Sequence, residues 1–199
     1  NLATISKGAF KECTSLRSID IPRTVATIED GAFGGSGLKS VVISDTVALG
    51  DGVFSGCSSL QQATFTGIRT GIPMETFLGS TSLKDVKLPA GLTTIGDGAF
   101  KGCSSLRTID LPYGLETIED SAFERSGLVS ITIPEGVTTI STYTFWNCTG
   151  LESITLPNSV AVIQESAFQG CTALKELTIP DGVSTICVNA FKGCSSLDA

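Results

Sequence analysis

Seven cysteines, a recurring row of acidic residues and the absence of histidine bound the chemistry open to this 199-residue chain. Without histidine there is no Ser-His-Asp or Cys-His arrangement and no imidazole ligand for a metal. The expectation is a protein that is not an enzyme, with no catalytic, cofactor-binding or metal-binding residues. Six of the cysteines (Cys13, Cys57, Cys103, Cys148, Cys171 and Cys194) each follow a phenylalanine by three residues, and Ser36, Ser80 and Ser126 take the same slot. A slot that accepts either cysteine or serine is small and inward-facing, so a buried ladder of free thiols is expected. Disulfides between neighbouring coils at Cys148, Cys171 and Cys194 are the alternative, though side chains stacked about 5 Å apart suit that geometry poorly. Cys187 lies off this ladder. No Cys-x-x-Cys pair supports zinc.

Acidic residues recur at Asp30, Asp51, Asp97, Asp120 and Glu165, each two positions after an isoleucine or leucine. A calcium stripe is one reading. Helix N-capping is the favoured one, because each acid precedes a Gly/Ser-Ala/Val-Phe segment whose amide hydrogens need acceptors. Neither an EF-hand nor a glycine-aspartate calcium repeat matches the spacing.

These rows exist because the chain is a repeat. Phe10, Phe33, Phe54, Phe77, Phe100, Phe123, Phe145, Phe168 and Phe191 recur every 21 to 23 residues. After each comes a leucine that opens the frame Leu-x-x-apolar-x-apolar, as in Leu106/Ile109/Leu111 and Leu151/Ile154/Leu156. Alternation of apolar and polar residues is the signature of a strand buried on one face. Proline closes six of the eight frames and cannot donate to a ladder, so it ends each strand. A second apolar pair follows, such as Leu92/Ile95 or Val137/Ile140. Then comes a segment such as 97–103, which reads as one capped helical turn. Two repeats are short by a residue at Ser36-Gly37-Leu38 and Ser126-Gly127-Leu128. One repeat cannot bury its own apolar face, but stacked copies share a core. Residues 1–199 are therefore expected to form one β-rich solenoid of about eight coils, with a parallel strand ladder and short helical turns. The chain opens at Leu2/Ile5 within a second-strand pair and stops at Leu197, with no polar cap at either end. That reads as a fragment of a longer array.

The stretch Leu106-Arg-Thr-Ile-Asp-Leu-Pro-Tyr-Gly-Leu-Glu-Thr-Ile-Glu-Asp-Ser-Ala-Phe123 closely resembles the BspA-like leucine-rich repeat, and the resemblance runs through the whole chain. It departs in the third repeat, where Ala63, Phe65 and the run from Thr66 to Met74 replace the usual strand and turn. The resemblance implies a surface protein acting in adhesion, with host matrix or neighbouring-cell proteins as partners.

Polar residues between the inward leucines point outward along the first strand of each coil. The candidate protein-binding face comprises Arg17, Asp20, Lys84, Asp85, Lys87, Arg107, Asp110, Glu152, Thr155, Lys175, Glu176 and Thr178. No aromatic row accompanies them, so carbohydrate stacking gains no support there. A net charge of −7 with a sequence pI near 4.5 argues against nucleic acid. No apolar run approaches the roughly 20 residues that span a bilayer, so no membrane insertion of this segment is expected. The Asn147-Cys-Thr149 triplet fits a glycosylation sequon and agrees with export. The localisation expected is extracellular or cell-surface. The alternative is an intracellular or structural scaffold that assembles with other proteins.

Overall fold

The structure is a computed structural model and describes residues 1–198. Fourteen short strands follow one another among them. The first seven are β1 (Thr4–Ile5), β2 (Thr27–Ile28), β3 (Ser40–Ser44), β4 (Ala48–Leu49), β5 (Gln62–Thr66), β6 (Gly71–Ile72) and β7 (Asp85–Lys87). The rest are β8 (Thr94–Ile95), β9 (Thr117–Ile118), β10 (Ser130–Thr132), β11 (Thr139–Ile140), β12 (Ser153–Thr155), β13 (Val162–Ile163) and β14 (Thr185–Ile186). Every pairing is parallel and joins equivalent residues of successive coils, as in Ile28↔Leu49, Val41↔Ala63 and Ile131↔Ile154. The chain is a β-solenoid with two strand ladders. One is built from the strands that follow the frame leucines, β3, β5, β7, β10 and β12, and the other from the short Thr-Ile type pairs.

The segments expected to be capped helical turns are not helical. Each is a run of tight turns in which two residues, four apart, take left-handed backbone. In the first column φ lies between 53° and 64°, through Gly8, Gly31, Gly52, Glu75, Gly98, Ser121, Tyr143, Ser166 and Asn189. In the second it lies between 53° and 78°, through Glu12, Gly35, Gly56, Gly79, Gly102, Arg125, Asn147, Gly170 and Gly193. A helix cannot propagate through a left-handed residue every fourth position. The amides find other acceptors, alternately in the next coil and in their own turn. Gly31, Phe33 and Gly35 donate to the carbonyls of Asp51, Val53 and Ser55 at 2.7–3.0 Å. Between them, Ala32, Gly34 and Ser36 donate three residues back at 2.9–3.2 Å. The turn edge is thus a third hydrogen-bonded ladder.

This arrangement explains the phenylalanine period. Between its two left-handed positions each turn points an Ala-Phe or similar pair inward. The nine rings stack along the axis with centroids 5.1–5.7 Å apart and planes within 3–18° of parallel. The seven inner rings have no exposed surface. The leucines that open each frame, and the isoleucines of both ladders, pack against this spine.

The first-strand ladder is interrupted. The frames at 16–21 and 106–111 are not strands, and the frame at 174–179 forms only the Ser153↔Glu176 bridge. Both missing strands precede a shortened coil. The deleted residue draws Gly37 and Gly127 so close to the coil below that a Cβ on them would run into the carbonyl oxygens of Thr14 and Ser104. Lys39 and Val129 still donate to the carbonyls of Arg17 and Arg107 at 3.1 and 2.9 Å, after which the pairing stops. The structure offers no comparable cause for the frame at 174–179.

Candidate functional site

All twelve residues expected on the binding face are exposed. They do not share one continuous sheet. Lys87 and Asp85 lie on β7, with Lys84 just before it, and Asp85 accepts a hydrogen bond from Gln62 of β5 at 3.2 Å. Thr155 lies on β12 beside Thr132 of β10, and Glu152 pairs with Lys175 of the next coil at 3.3 Å. Both of these side chains are solvated, so that pair contributes little to stability. Arg17, Asp20, Arg107 and Asp110 lie on the two frames that are not strands. Glu176 sits at the isolated bridge and Thr178 beyond it.

Where the ladder opens at the shortened coils, the face is grooved. One groove, of about 710 Å³, runs between residues 18–23 and β3. The other, of about 620 Å³, runs between 108–113 and the β10–β12 pair. Asp20 lines the first, and Asp110 and Thr155 line the second. A third, of about 450 Å³, brings Lys87 and Asp110 together over Phe65 and Leu88.

Several residues of this face escape a reading of polar positions alone. Lys39 occupies the place after Leu38 that Arg17 holds after Leu16, and among the described residues Arg17, Lys39, Lys84 and Arg107 make no ion pair. Four of the first five coils therefore carry an unpaired cation at this leading position, with Gln61 in the remaining one. Val42 lies 62% exposed on β3, and Tyr113 is 84% exposed beside the second groove. Position in the repeat could have identified Lys39; nothing in the pattern marks Tyr113.

The buried thiols of the ladder are poor candidates for chemistry. All seven cysteines are free. Four of the six ladder thiols are buried as expected, Cys194 is half-buried, and Cys13 in the first coil is exposed. All but Cys13 donate to the phenylalanine carbonyl of the preceding coil, as Cys57 does to Phe33 at 3.0 Å, Cys148 to Phe123 at 3.0 Å and Cys171 to Phe145 at 3.1 Å. Ser80 does the same to Phe54 at 2.9 Å. Burial pushes the inner ladder thiols away from the reactive thiolate, to about 12 for Cys103 and about 11 for Cys148, with Cys171 also raised.

The acidic row also differs from expectation. The Asp30 and Asp120 carboxylates accept from the amides of Asp51 and Thr142, both at 3.1 Å, so they cap the neighbouring coil rather than their own turn. Glu119 caps the amide of Asp97 at 3.0 Å. No group of His, Cys, Asp and Glu among the described residues has the arrangement of a metal site. The irregular turn of the third repeat is filled by Arg69, which donates to the carbonyls of Ser44 and Val47. Its Nε is the one buried side-chain nitrogen or oxygen among the described residues without a partner, and desolvation lowers the pKa of the guanidinium.

Comparison with known families decides what this architecture is. The BspA type leucine rich repeat region matches in six copies, over residues 1–71 and 70–198. The chain belongs to the BspA-type leucine-rich-repeat family. Among solved structures it is similar to a leucine rich cell surface protein of Faecalibacterium prausnitzii, at 35% identity and a TM-score of 0.65. That match covers 88% of this chain and 42% of the other, so the chain spans less than half the length of that relative. It is also similar to the leucine rich repeat protein of T. pallidum, at 28% identity and a TM-score of 0.77, over 92% of this chain and 89% of that one. A Bacteroides ovatus leucine-rich repeat protein shares the fold at 23% identity and a TM-score of 0.64, over 98% of this BspA-type chain and 69% of the other. No curated protein matches. Repeats of this family generally form protein-interaction or surface proteins, and the solenoid is typically a non-enzymatic binding scaffold. No helix among the described residues is long and apolar enough to cross a membrane.

Proposed function

We propose that this chain is an adhesion or protein-binding module that presents its first-strand face to a protein partner outside the cell. The observation that carries the reading is the grooved face. Twelve solvent-exposed polar and charged side chains stand above a fully packed core, and grooves open beside them where the coils are short. Nothing in the stability of the solenoid requires four unpaired cations at one repeat position, Arg17, Lys39, Lys84 and Arg107. A partner with acidic side chains matches them, and Val42 and Tyr113 supply apolar contact within the same surface. A cell-surface relative at 35% identity supports the location. Buried, protonated thiols and the lack of histidine support binding over catalysis.

The test is labelling of intact, unpermeabilised source cells with an antibody raised against this chain. Surface signal is expected, and matrix and neighbouring-cell proteins are then the ligands to screen. Signal that appears only after permeabilisation would replace this reading with an internal scaffold.

A further inference from the structure

Neighbouring coils are joined along three lines: the first-strand ladder, the second-strand ladder and the turn edge. Where one strand ladder is lost, the other is almost always kept. The coils of Phe33 and Phe54 lack first-strand pairing but keep β2–β4. The coils of Phe54 and Phe77 lack the second, where Pro73 has no amide to give, but keep the pairing of β3 with β5 along its whole length. The coils of Phe100 and Phe123 lack the first and keep β8–β9. Among the described residues, only the junction between the coils of Phe123 and Phe145 has neither.

The main chain on both strand faces of this seam lacks its usual partners. On the first-strand face the bond from Val129 to Arg107 is the last one made, and the successive amides from Arg107 to Leu111 reach no main-chain carbonyl. On the second-strand face Thr138 and Ser141 also give their amides to no carbonyl. Their equivalents one coil later, Ala161 and Gln164, bond to Thr138 and Ile140 at 2.8 and 2.9 Å. The other shortened coil shows the cause. There Gly50 gives its amide to Ile28 at 2.8 Å, in an approach so close that a Cβ would run into the Asp30 carboxylate. Ser141 holds the same place, four residues before its phenylalanine, and carries the Cβ that Gly50 lacks. Its hydroxyl, not its amide, reaches the carbonyl of Ile118, at 2.6 Å. The side chain wedges the two coils apart on this face.

The turn edge is intact across the same seam. Ser121, Phe123 and Arg125 donate to Thr142, Thr144 and Trp146 at 2.8–3.0 Å. The Phe123 and Phe145 rings stay stacked at 5.7 Å, and the Arg125 guanidinium lies 4.6 Å from the Trp146 ring centroid. In a solenoid each coil is supported only by its neighbours, so the weakest junction decides where the array divides. We infer that the chain consists of two cooperative blocks that part at this seam, one ending with the Phe123 coil and the other beginning with the Phe145 coil. The groove between residues 108–113 and the β10–β12 pair is lined by both blocks. The seam is a property of the chain alone and stands independently of the function proposed for that face.

Trp146, the only tryptophan, belongs to the later block and packs on Arg125 of the earlier one, so its fluorescence reports on the seam. In a urea titration of the chain this signal should change at about 0.5–1 M lower urea than the far-ultraviolet circular dichroism, which reads every coil. A pulse of hydrogen exchange between the two midpoints, read residue by residue by NMR after refolding, locates the boundary. The amides of Ala161, Gln164 and Phe168 should exchange together while those of Ala48, Gly96 and Phe100 stay protected. Ser141→Gly should bring the two midpoints together. Gly50→Ser puts the same side chain in the other shortened coil and should strip protection from Ala48 but not from Gly96. Coincident transitions in the native chain, or a boundary at any other junction, would overturn the inference. Midpoints indifferent to Ser141→Gly, or unchanged protection of Ala48 in Gly50→Ser, would overturn it equally.

Discussion

At the scale of single residues, the alternation of cysteine and serine after each phenylalanine has a hydrogen-bonding cause. The slot takes a short side chain that can hydrogen-bond along the ladder: five thiols and the Ser80 hydroxyl donate to the phenylalanine carbonyl one coil back at 2.9–3.2 Å, while Ser36 and Ser126 pair with the thiols of Cys57 and Cys148 at 3.4 and 3.3 Å. Cys148→Ser should therefore be tolerated, whereas Cys148→Ala leaves the Phe123 carbonyl short of a donor and should cost about 1 kcal/mol in a urea melt. The same burial makes stability depend on alkaline pH. Folding holds Cys148 near 11 and Cys103 near 12, against 9.0 for the free thiol. Below pH 9 both states are protonated and the contribution is complete. Above it the unfolded chain ionises first, and stability falls as pH rises through the folded values. Urea melts of the native chain and of the C103S/C148S variant should differ by a constant amount up to pH 9. Between 9 and 11 the native chain should lose stability faster. Parallel curves over that window would mean that these thiols are not buried as described.

At the scale of the element, the turn and the shortened coil are governed by backbone, and they respond to substitution in opposite directions. Glu75 holds a φ of 54° between coils whose equivalent residues, Gly52 and Gly98, are glycine, so Glu75→Gly should raise stability by about 1 kcal/mol. Gly127 has no room for a methyl group against the Ser104 carbonyl, so Gly127→Ala should lower it by about 1–3 kcal/mol. Calorimetric melts of the two variants test both signs at once. These turns are also where the sequence is least transparent. The phenylalanine spine, the inward leucines and the small Cys/Ser slot are legible because each is a fixed chemical type at a fixed spacing. The left-handed columns are not, because glutamate, serine, tyrosine, arginine and asparagine all fill them as well as glycine. Nor is the break at 106–111 legible: Leu106, Ile109 and Leu111 keep the full strand pattern, and the shortened coil at Gly127 bears only on the pairing with the coil that follows. Likewise Asp30 and Asp120 occupy the places expected of caps, but the amides they bind belong to a coil 21 or 22 residues away.

At the scale of the whole molecule, the outer faces divide the roles between them. The core is a column of rings and aliphatic side chains in which each coil supports only its neighbours. Substitutions on the first-strand face therefore leave the spine untouched, which makes that face a clean subject for mutagenesis. Lys84, Lys87 and Arg107 are exposed and make no ion pair among the described residues, and Lys87 lines the groove over Phe65 and Leu88. Reversing all three charges moves the net charge from −7 by six units toward a still more acidic surface, without removing a buried contact. The thermal melt should shift by no more than the small amounts typical of exposed sites. Affinity for a captured protein ligand should fall, and association should slow more than dissociation quickens, because charges at an interface rim act chiefly on encounter. Surface plasmon resonance at low and at physiological salt separates these effects. The difference between native and reversed chains should shrink as salt screens the encounter. Equal association rates for the two chains at low salt would move the binding site off this face.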